Sequence, residues 1–308
     1  PDVVHSGKCA IEAARPLTTP IYESSTFVFA SASELEQYLA GDGHRYIYSR
    51  HANPTVEAAE AKLAALEGAP AALVTSSGMA ATATALFGLL SSGDELLVGA
   101  GVYGGTVHLM TTFMRRFGVT VRPVPSGQDF EPHITAATRV VWFESPTNPG
   151  LRCIDIARVA AVCRARGVIS VFDNTFASPV NQRPLDLGVD LVMHSATKYL
   201  NGHSDVIAGA LVGGAALIER LQGARKFFGG VLDPAAAYLL SRGMKTLAVR
   251  VARQNATAQR VAEWLASDAR VGTVFYPGLV SHPDHVIAAR QMTGFGGMVT
   301  FTSGGTYA

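Results

Sequence analysis

The chain has 308 residues, 48% of them hydrophobic and 16% charged, with a formal net charge of +1; this is enough apolar material for one large core and part of another. Acids and bases are interspersed, without the basic footprint of a nucleic-acid binder, and no apolar stretch reaches the roughly 20 residues of a membrane span. No signal peptide is visible, and Cys9, Cys153 and Cys163 show neither a disulfide framework nor metal spacing, so a soluble, cytoplasmic protein is expected.

Residues 1–50, rich in Ser, Thr, Pro and aromatics, read as an N-terminal arm. The spacing of Val56, Ala59, Leu63 and Leu66 predicts a helix over Thr55–Leu66, closed by Gly68. Strand and helix then alternate: strand Ala71–Thr75, helix Met79–Leu90, strand Glu95–Gly99, helix Val107–Phe117 ending at Gly118, and strand Thr120–Val124. Strand Val140–Glu144, helix Ile156–Arg166, strand Val168–Asp173 and strand Leu191–Ser195 follow. This alternation predicts a large α/β domain over 51–215 with a mostly parallel sheet, whose ligand would lie at the strands' carboxyl ends. Helices over Pro234–Leu247 and Arg250–Leu265, then strand-like Gly272–Tyr276 and Gly297–Thr302, make 216–308 connecting helices and a smaller, incomplete C-terminal α/β domain. A strand running straight into the last residues leaves a sheet unfinished, so the C-terminus reads as a truncation.

The chemistry concentrates at strand ends. Lys198 stands in His194-Ser195-Ala196-Thr197-Lys198-Tyr199-Leu200-Asn201-Gly202-His203, and Asp173 closes another apolar run. A lysine to form a Schiff base and a carboxylate to hold a pyridinium nitrogen are what pyridoxal 5′-phosphate needs from a protein. Thr75-Ser76-Ser77-Gly78-Met79 ends a strand and opens a helix, which makes an anion site. Glu144-Ser145-Pro146-Thr147-Asn148-Pro149 would aim Asn148 at the phenolic oxygen of the ring, and Tyr103, between Gly101 and Gly104-Gly105, could stack on it. Each feature alone has an ordinary explanation: an Asx turn for Asp173, a solvated charge for Lys198, a capped helix start, a Pro-bearing turn, a plain loop. Together they supply every contact that one cofactor requires.

Two other readings carry less. Ser195-x-x-Lys198 fits the S-x-x-K of penicillin-recognising serine enzymes, but the companion elements survive only as Ser204-Asp205-Val206 and Lys245-Thr246-Leu247. His282 and His285 lack a third ligand and have Pro283 between them, so no metal site is expected.

The runs Tyr48-Ser-Arg50-His-Ala-Asn-Pro-Thr55, Ser76-Ser-Gly-Met79, Val102-Tyr-Gly-Gly-Thr106, Glu144-Ser-Pro-Thr-Asn-Pro149, Asp173-Asn-Thr-Phe176 and Ser195-Ala-Thr-Lys-Tyr-Leu-Asn-Gly-His-Ser-Asp205 resemble the Cys/Met-metabolism family of pyridoxal phosphate enzymes. The resemblance implies an aspartate aminotransferase-like, fold type I architecture. It casts Lys198 as the Schiff-base lysine, Asp173 as the pyridinium partner and Tyr103 as the stacking tyrosine. Gly78, Met79, Ser195 and Thr197 match the phosphate site, and Tyr48 and Arg50 match residues that reach the phosphate of a neighbouring subunit, implying a homotetramer of two dimers with shared sites. A serine near the cofactor and an arginine for the substrate carboxylate would lie beyond Ala308. The implied activity is that of a carbon–sulfur lyase or γ-replacement enzyme acting on a small sulfur amino acid. Gly105 stands where methionine γ-lyases usually carry a cysteine, which favours cystathionine γ-lyase-like elimination to 2-oxobutyrate, ammonia and cysteine. Cystathionine γ-synthase, homoserine-ester sulfhydrylase and methionine γ-lyase chemistry are the alternatives.

Overall fold

The computed structural model describes residues 16–43 and 45–303; Cys9, the start of the arm and the closing run from Gly304 lie outside them. The main sheet holds β1 (Ala71–Thr75), β2 (Glu95–Gly99), β3 (Thr120–Val124), β4 (Thr138–Glu144), β5 (Ile169–Asp173), β6 (Leu191–His194) and β7 (Gly209–Gly213). Their order is β1-β7-β6-β5-β4-β2-β3. β7 runs antiparallel to both its neighbours and every other pairing is parallel, so all strands but β7 aim their carboxyl ends at one edge. A second, antiparallel pair is formed by β8 (Val271–Phe275) and β9 (Thr300–Ser303).

The principal helices are α1 (Ala32–Leu39), α2 (Pro54–Glu67), α3 (Gly78–Leu89), α4 (Gly104–His108), α5 (Ile156–Ala165), α6 (Ser178–Asn181), α7 (Ala215–Phe228), α8 (Pro234–Met244), α9 (Leu247–Ser267) and α10 (His285–Gln291). Local chemistry sets their ends. Asn53 caps α2 by accepting the Thr55 N–H at 2.9 Å, Pro54 occupies the first turn, and Gly68 closes the helix in the left-handed region at φ 69°. Helices cover both faces of the sheet. α2, α5 and α8 meet one face around Leu63, Phe143, Phe172, Val192 and Leu240. α3 and α7 meet the other around Leu73, Leu86, Trp142, Met193 and Leu221. Double coverage is why the strands read as near-continuous apolar runs; every residue of β2, β6 and β7 is buried.

Several elements differ from the sequence expectation. β7 and α7 were not foreseen: Gly209-Ala-Leu-Val-Gly213 is a short buried run without alternation, and α7 starts at Gly214 without a side-chain cap. The expected helix over Val107–Phe117 begins earlier, as α4, then widens into a π turn at Leu109–Phe113 and tightens to a 3₁₀ turn at Met114–Phe117 before Gly118 ends it. A tight last turn followed by a left-handed glycine is a common helix ending. The arm is not wholly irregular, since Ser31 caps α1 through the Glu34 N–H. Among the described residues no helix is long and apolar enough to cross a membrane.

A smaller core joins α9 to the β8–β9 pair around Ala262, Leu265, Val274 and the fully buried Tyr276. Polar contacts tie this region back to the main sheet. Arg152, beyond β4, pairs bidentately with Asp284, at 2.5 Å from Nε and 3.0 Å from Nη2. Asp284 also accepts the Cys153 N–H at 2.9 Å. Asn181 and Asn255 exchange amide hydrogen bonds of 3.0 and 2.7 Å. Cys153 and Cys163 are free and buried, and burial pushes both thiols up to about 12.

Candidate active site

Asp173 is the last residue of β5, and Glu144 the last of β4; the two are direct partners across the parallel pair. Partners in register share a sheet face, so two carboxyls stand side by side on the face covered by α3. Both are nearly inaccessible, Glu144 4% and Asp173 6% exposed. Burial, reinforced by the neighbouring charge of Asp173, pushes Glu144 up to about 9, against the pull of the Tyr103 N–H. Burial raises Asp173 as well, opposed by two hydrogen bonds from Thr175 and by His194.

Thr175 is the hinge of the arrangement. Its hydroxyl donates to Asp173 Oδ1 at 2.5 Å, its N–H donates to the same oxygen at 3.0 Å, and its Oγ1 accepts the Ser195 N–H at 2.8 Å. The end of β5 is thereby bonded to the loop that carries Lys198. The Asp-Asn-Thr spacing, an Asx-turn pattern, was the signal that could have found it. Ser195 in turn lies against the start of α3: a Cβ placed on Gly78 would come within 3.0 Å of Ser195 Cβ and Oγ. Glycine at 78 is what lets the two turns close together. Ser77 caps α3 through the Ala80 N–H at 3.0 Å, and the first-turn N–H groups of Gly78 and Met79 have no acceptor within the helix.

Lys198 sits in a compact coil closed by its own N–H to Ser195 O at 3.0 Å and by the Gly202 N–H to Lys198 O at 2.8 Å. Its side chain is exposed and lines a cavity of about 670 Å³ with Phe176, Thr197, Tyr199, Asp205 and Met298. The Thr197 hydroxyl donates to Ala208 O at 3.1 Å and accepts the Ala208 N–H at 3.0 Å, so as placed its only proton bridges to the segment before β7.

Tyr103 follows β2 with its ring 51% exposed, and its N–H donates to Glu144 Oε2 at 3.0 Å. The Asn148 N–H donates to Gly101 O at 3.0 Å, so the loops after β2 and β4 are knitted together. Tyr48 and Arg50 are placed elsewhere. The Arg50 guanidinium lies 5.3 Å from the Tyr48 ring centroid and donates to Lys226 O, near the end of α7, at 2.9 Å.

Behind this edge, on the opposite sheet face, lies a pair that sequence reasoning missed. His194 Nε2 and Glu67 Oε1 are 2.5 Å apart, 1% and 0% exposed. Asn174 adds a 3.2 Å bond to Glu67 and exchanges hydrogen bonds with Gln182. Nothing in a lone histidine and a glutamate more than a hundred positions apart announces such a pair. Of the two histidines weighed as metal ligands, His285 bonds the Pro277 carbonyl through Nδ1 at 2.8 Å and His282 is 3% exposed.

The family model for Cys/Met metabolism PLP-dependent enzymes matches residues 2–307. The chain belongs to this family. The resemblance read from the motifs is borne out, and so is the fold. The chain is 44% identical over 302 residues to an L-methionine gamma-lyase of Pseudomonas putida, covering 97% of this chain and 76% of the relative. It is 43% identical over 288 residues to the chloroplastic cystathionine gamma-synthase 1 of Arabidopsis thaliana, covering 92% of this chain and 51% of the relative. The chain thus spans about half the length of the plant enzyme and about three quarters of the bacterial one. The crystal structure of a cystathionine gamma-lyase from Lactobacillus plantarum, complexed with L-serine, superposes with a TM-score of 0.91 at 40% identity, covering 98% of this chain and 77% of that one.

The cofactor of the family is pyridoxal 5′-phosphate, and the residues present fit it. A buried strand-end carboxyl is oriented by Thr175, an exposed tyrosine ring follows the next loop, and α3 opens with free N–H groups at the glycine that packs on Ser195.

Proposed function

We propose that this chain acts as a pyridoxal-phosphate-dependent carbon–sulfur lyase on a sulfur amino acid, with γ-elimination from cystathionine as its reaction. The observation that carries the reading is the bonded path Asp173–Thr175–Ser195, which joins the buried carboxyl of β5 to the lysine loop at the edge where α3 begins. Lys198 would hold the cofactor covalently and, once displaced by the substrate amine, move a proton at the substrate Cα. Asp173 would face the ring nitrogen, where a cationic partner restores the charge that burial disfavours. Gly78, Met79, Ser195 and Thr197 would take the phosphate, with the Thr197 hydroxyl turned away from Ala208 O; Tyr103 would lie on the ring face and serve the leaving group, and Asn148 would approach the phenolic oxygen. When bound, the cofactor supplies the electron sink for the substrate carbanion. The Tyr48–Arg50 pair would serve the phosphate of a second subunit, within a homotetramer of two dimers; an arginine fork suits that anion.

Gly105, at the position where methionine γ-lyases usually carry a cysteine, supports the cystathionine reading. γ-Replacement, in which a thiol takes the place of a homoserine substituent, is the second reading, supported by the 43% identity to a cystathionine gamma-synthase. Incubating the full-length holo-protein with L-cystathionine separates them. 2-Oxobutyrate with cysteine is the expected product pair; pyruvate with homocysteine would move the chain to β-elimination. A normal cofactor spectrum with no product would transfer the assignment to γ-replacement, tested with a homoserine ester and a thiol.

A further inference from the structure

Glu144 has no part in the roles above, yet it is built into the same edge. It partners Asp173 in register across β4 and β5, on one sheet face, with both carboxyls almost fully buried. Its Oε2 receives the backbone N–H of Tyr103 at 3.0 Å, a bond from a strand terminus to a loop 41 residues earlier. Two residues before Tyr103, Gly101 O receives the Asn148 N–H from the loop that continues β4. The Tyr103 loop is therefore pinned to the end of β4 on either side of Val102, once by backbone and once by the Glu144 side chain.

We propose that Glu144 is a positioning residue that couples the Tyr103 loop to Asp173, serving as a neutral acid so that this edge carries one negative charge and not two. The inference rests on the reading of Asp173 and Tyr103 as cofactor contacts. Two carboxylates on adjacent strand ends repel strongly in a buried setting, and one of them must keep its proton. The partners decide which. Asp173 accepts two hydrogen bonds from Thr175, while Glu144 accepts one N–H. The other titratable group acting on this pair is His194, on the opposite face of β6, and it acts on Asp173. Asp173 is the charged neighbour that Glu144 itself feels. Burial and that neighbour also raise its proton affinity, in the same direction. A neutral Glu144 still presents an oxygen to the Tyr103 N–H and leaves Asp173 as the single anion available to a ring nitrogen.

The test uses Glu144→Gln, Glu144→Ala and, as a control on the underlying reading, Lys198→Ala. The readouts are the affinity of the cofactor-stripped protein for pyridoxal phosphate and the visible circular dichroism of the bound cofactor, which reports ring orientation. Glutamine keeps the acceptor and removes only the possibility of charge, so both readouts should stay within about threefold of the parent. Alanine removes the anchor, and affinity should fall by about tenfold or more, with a weakened dichroic band. If glutamine proves as damaging as alanine, the carboxylate charge is required and the proposal is wrong. An alanine variant that binds and orients the cofactor like the parent would also overturn it. Should Glu144→Ala fail to fold, Glu144→Leu, similar in volume and without an acceptor, takes its place under the same criteria. In Lys198→Ala, borohydride reduction should no longer fix the cofactor covalently to the chain. Fixation that survived there would overturn the site reading and this inference with it, whereas lost fixation beside a harmless alanine at 144 would overturn the inference alone.

Discussion

Tyr103 shows how much one missing methyl can decide. A Cβ on Gly105 would come within 2.6 Å of Tyr103 Cε1 and 3.2 Å of Cζ, so any larger residue there, the cysteine of methionine γ-lyases included, needs the ring to shift from this position. Gly105→Ala is expected to rotate the ring out of this position while leaving the surrounding loop bonds intact. Since a displacement on the order of 1 Å near the chemistry can cost as much as 100-fold, kcat/KM for L-cystathionine should fall by several-fold relative to that for L-methionine, with little change in melting temperature. An unchanged ratio would show that the ring's resting place is irrelevant to the choice between them. The glycines around Tyr103 were legible in the sequence as a loop that clears a ring face. Their actual constraint, on the ring's own tilt, depends on side-chain directions that no spacing encodes.

At the scale of elements, capping chemistry made the helices legible. Asp233 accepts the Ala235 and Ala236 N–H groups at 2.9 and 3.2 Å and precedes Pro234 in the first turn of α8. Asp233→Ala should cost about 1 kcal/mol of stability in urea unfolding, and Asp233→Asn much less, because asparagine retains the acceptor. A null result for alanine would mean that water satisfies those two donors equally well. The elements that sequence reasoning missed lack such punctuation. β7 lies between glycines with no polar alternation, and α7 opens on an uncapped glycine. Both are held by tertiary packing: β7 is hydrogen-bonded on both sides, to β1 and β6, and Leu221 of α7 is fully buried against the sheet.

At the scale of the whole molecule, a few polar contacts hold the region around α9 and α10 to the main sheet, and the Arg152–Asp284 pair among them responds to pH. Burial alone would raise Asp284, but the Arg152 fork and the Cys153 N–H outweigh it and hold the carboxyl below its usual range. A carboxyl depressed in the folded state stabilises above its unfolded pKa, near 3.9, and loses that contribution as pH falls through the folded value. Asp284→Asn should therefore be clearly less stable than the parent near pH 7, with the gap narrowing below about pH 4. A gap that stays constant across pH would show that shape, and not charge, makes this contact. Glu144 has the opposite sign: its raised folded pKa, about 9, favours the folded state at low pH and is lost as pH rises toward that value.

The sequence by itself determined the alternating α/β plan, the cofactor chemistry and the residues that match the family, because these rest on short-range signals: apolar runs, caps, and a lysine and an aspartate each closing its own run. Only the tertiary structure decided which of these residues bond to one another. Thr175 linking Asp173 to Ser195 and Glu144 facing Asp173 arise from strand order and register, and Glu67 beneath His194 from the packing of α2 on the sheet. Parallel strands brought side by side by long crossovers put distant residues in contact, and in a register that no local pattern states.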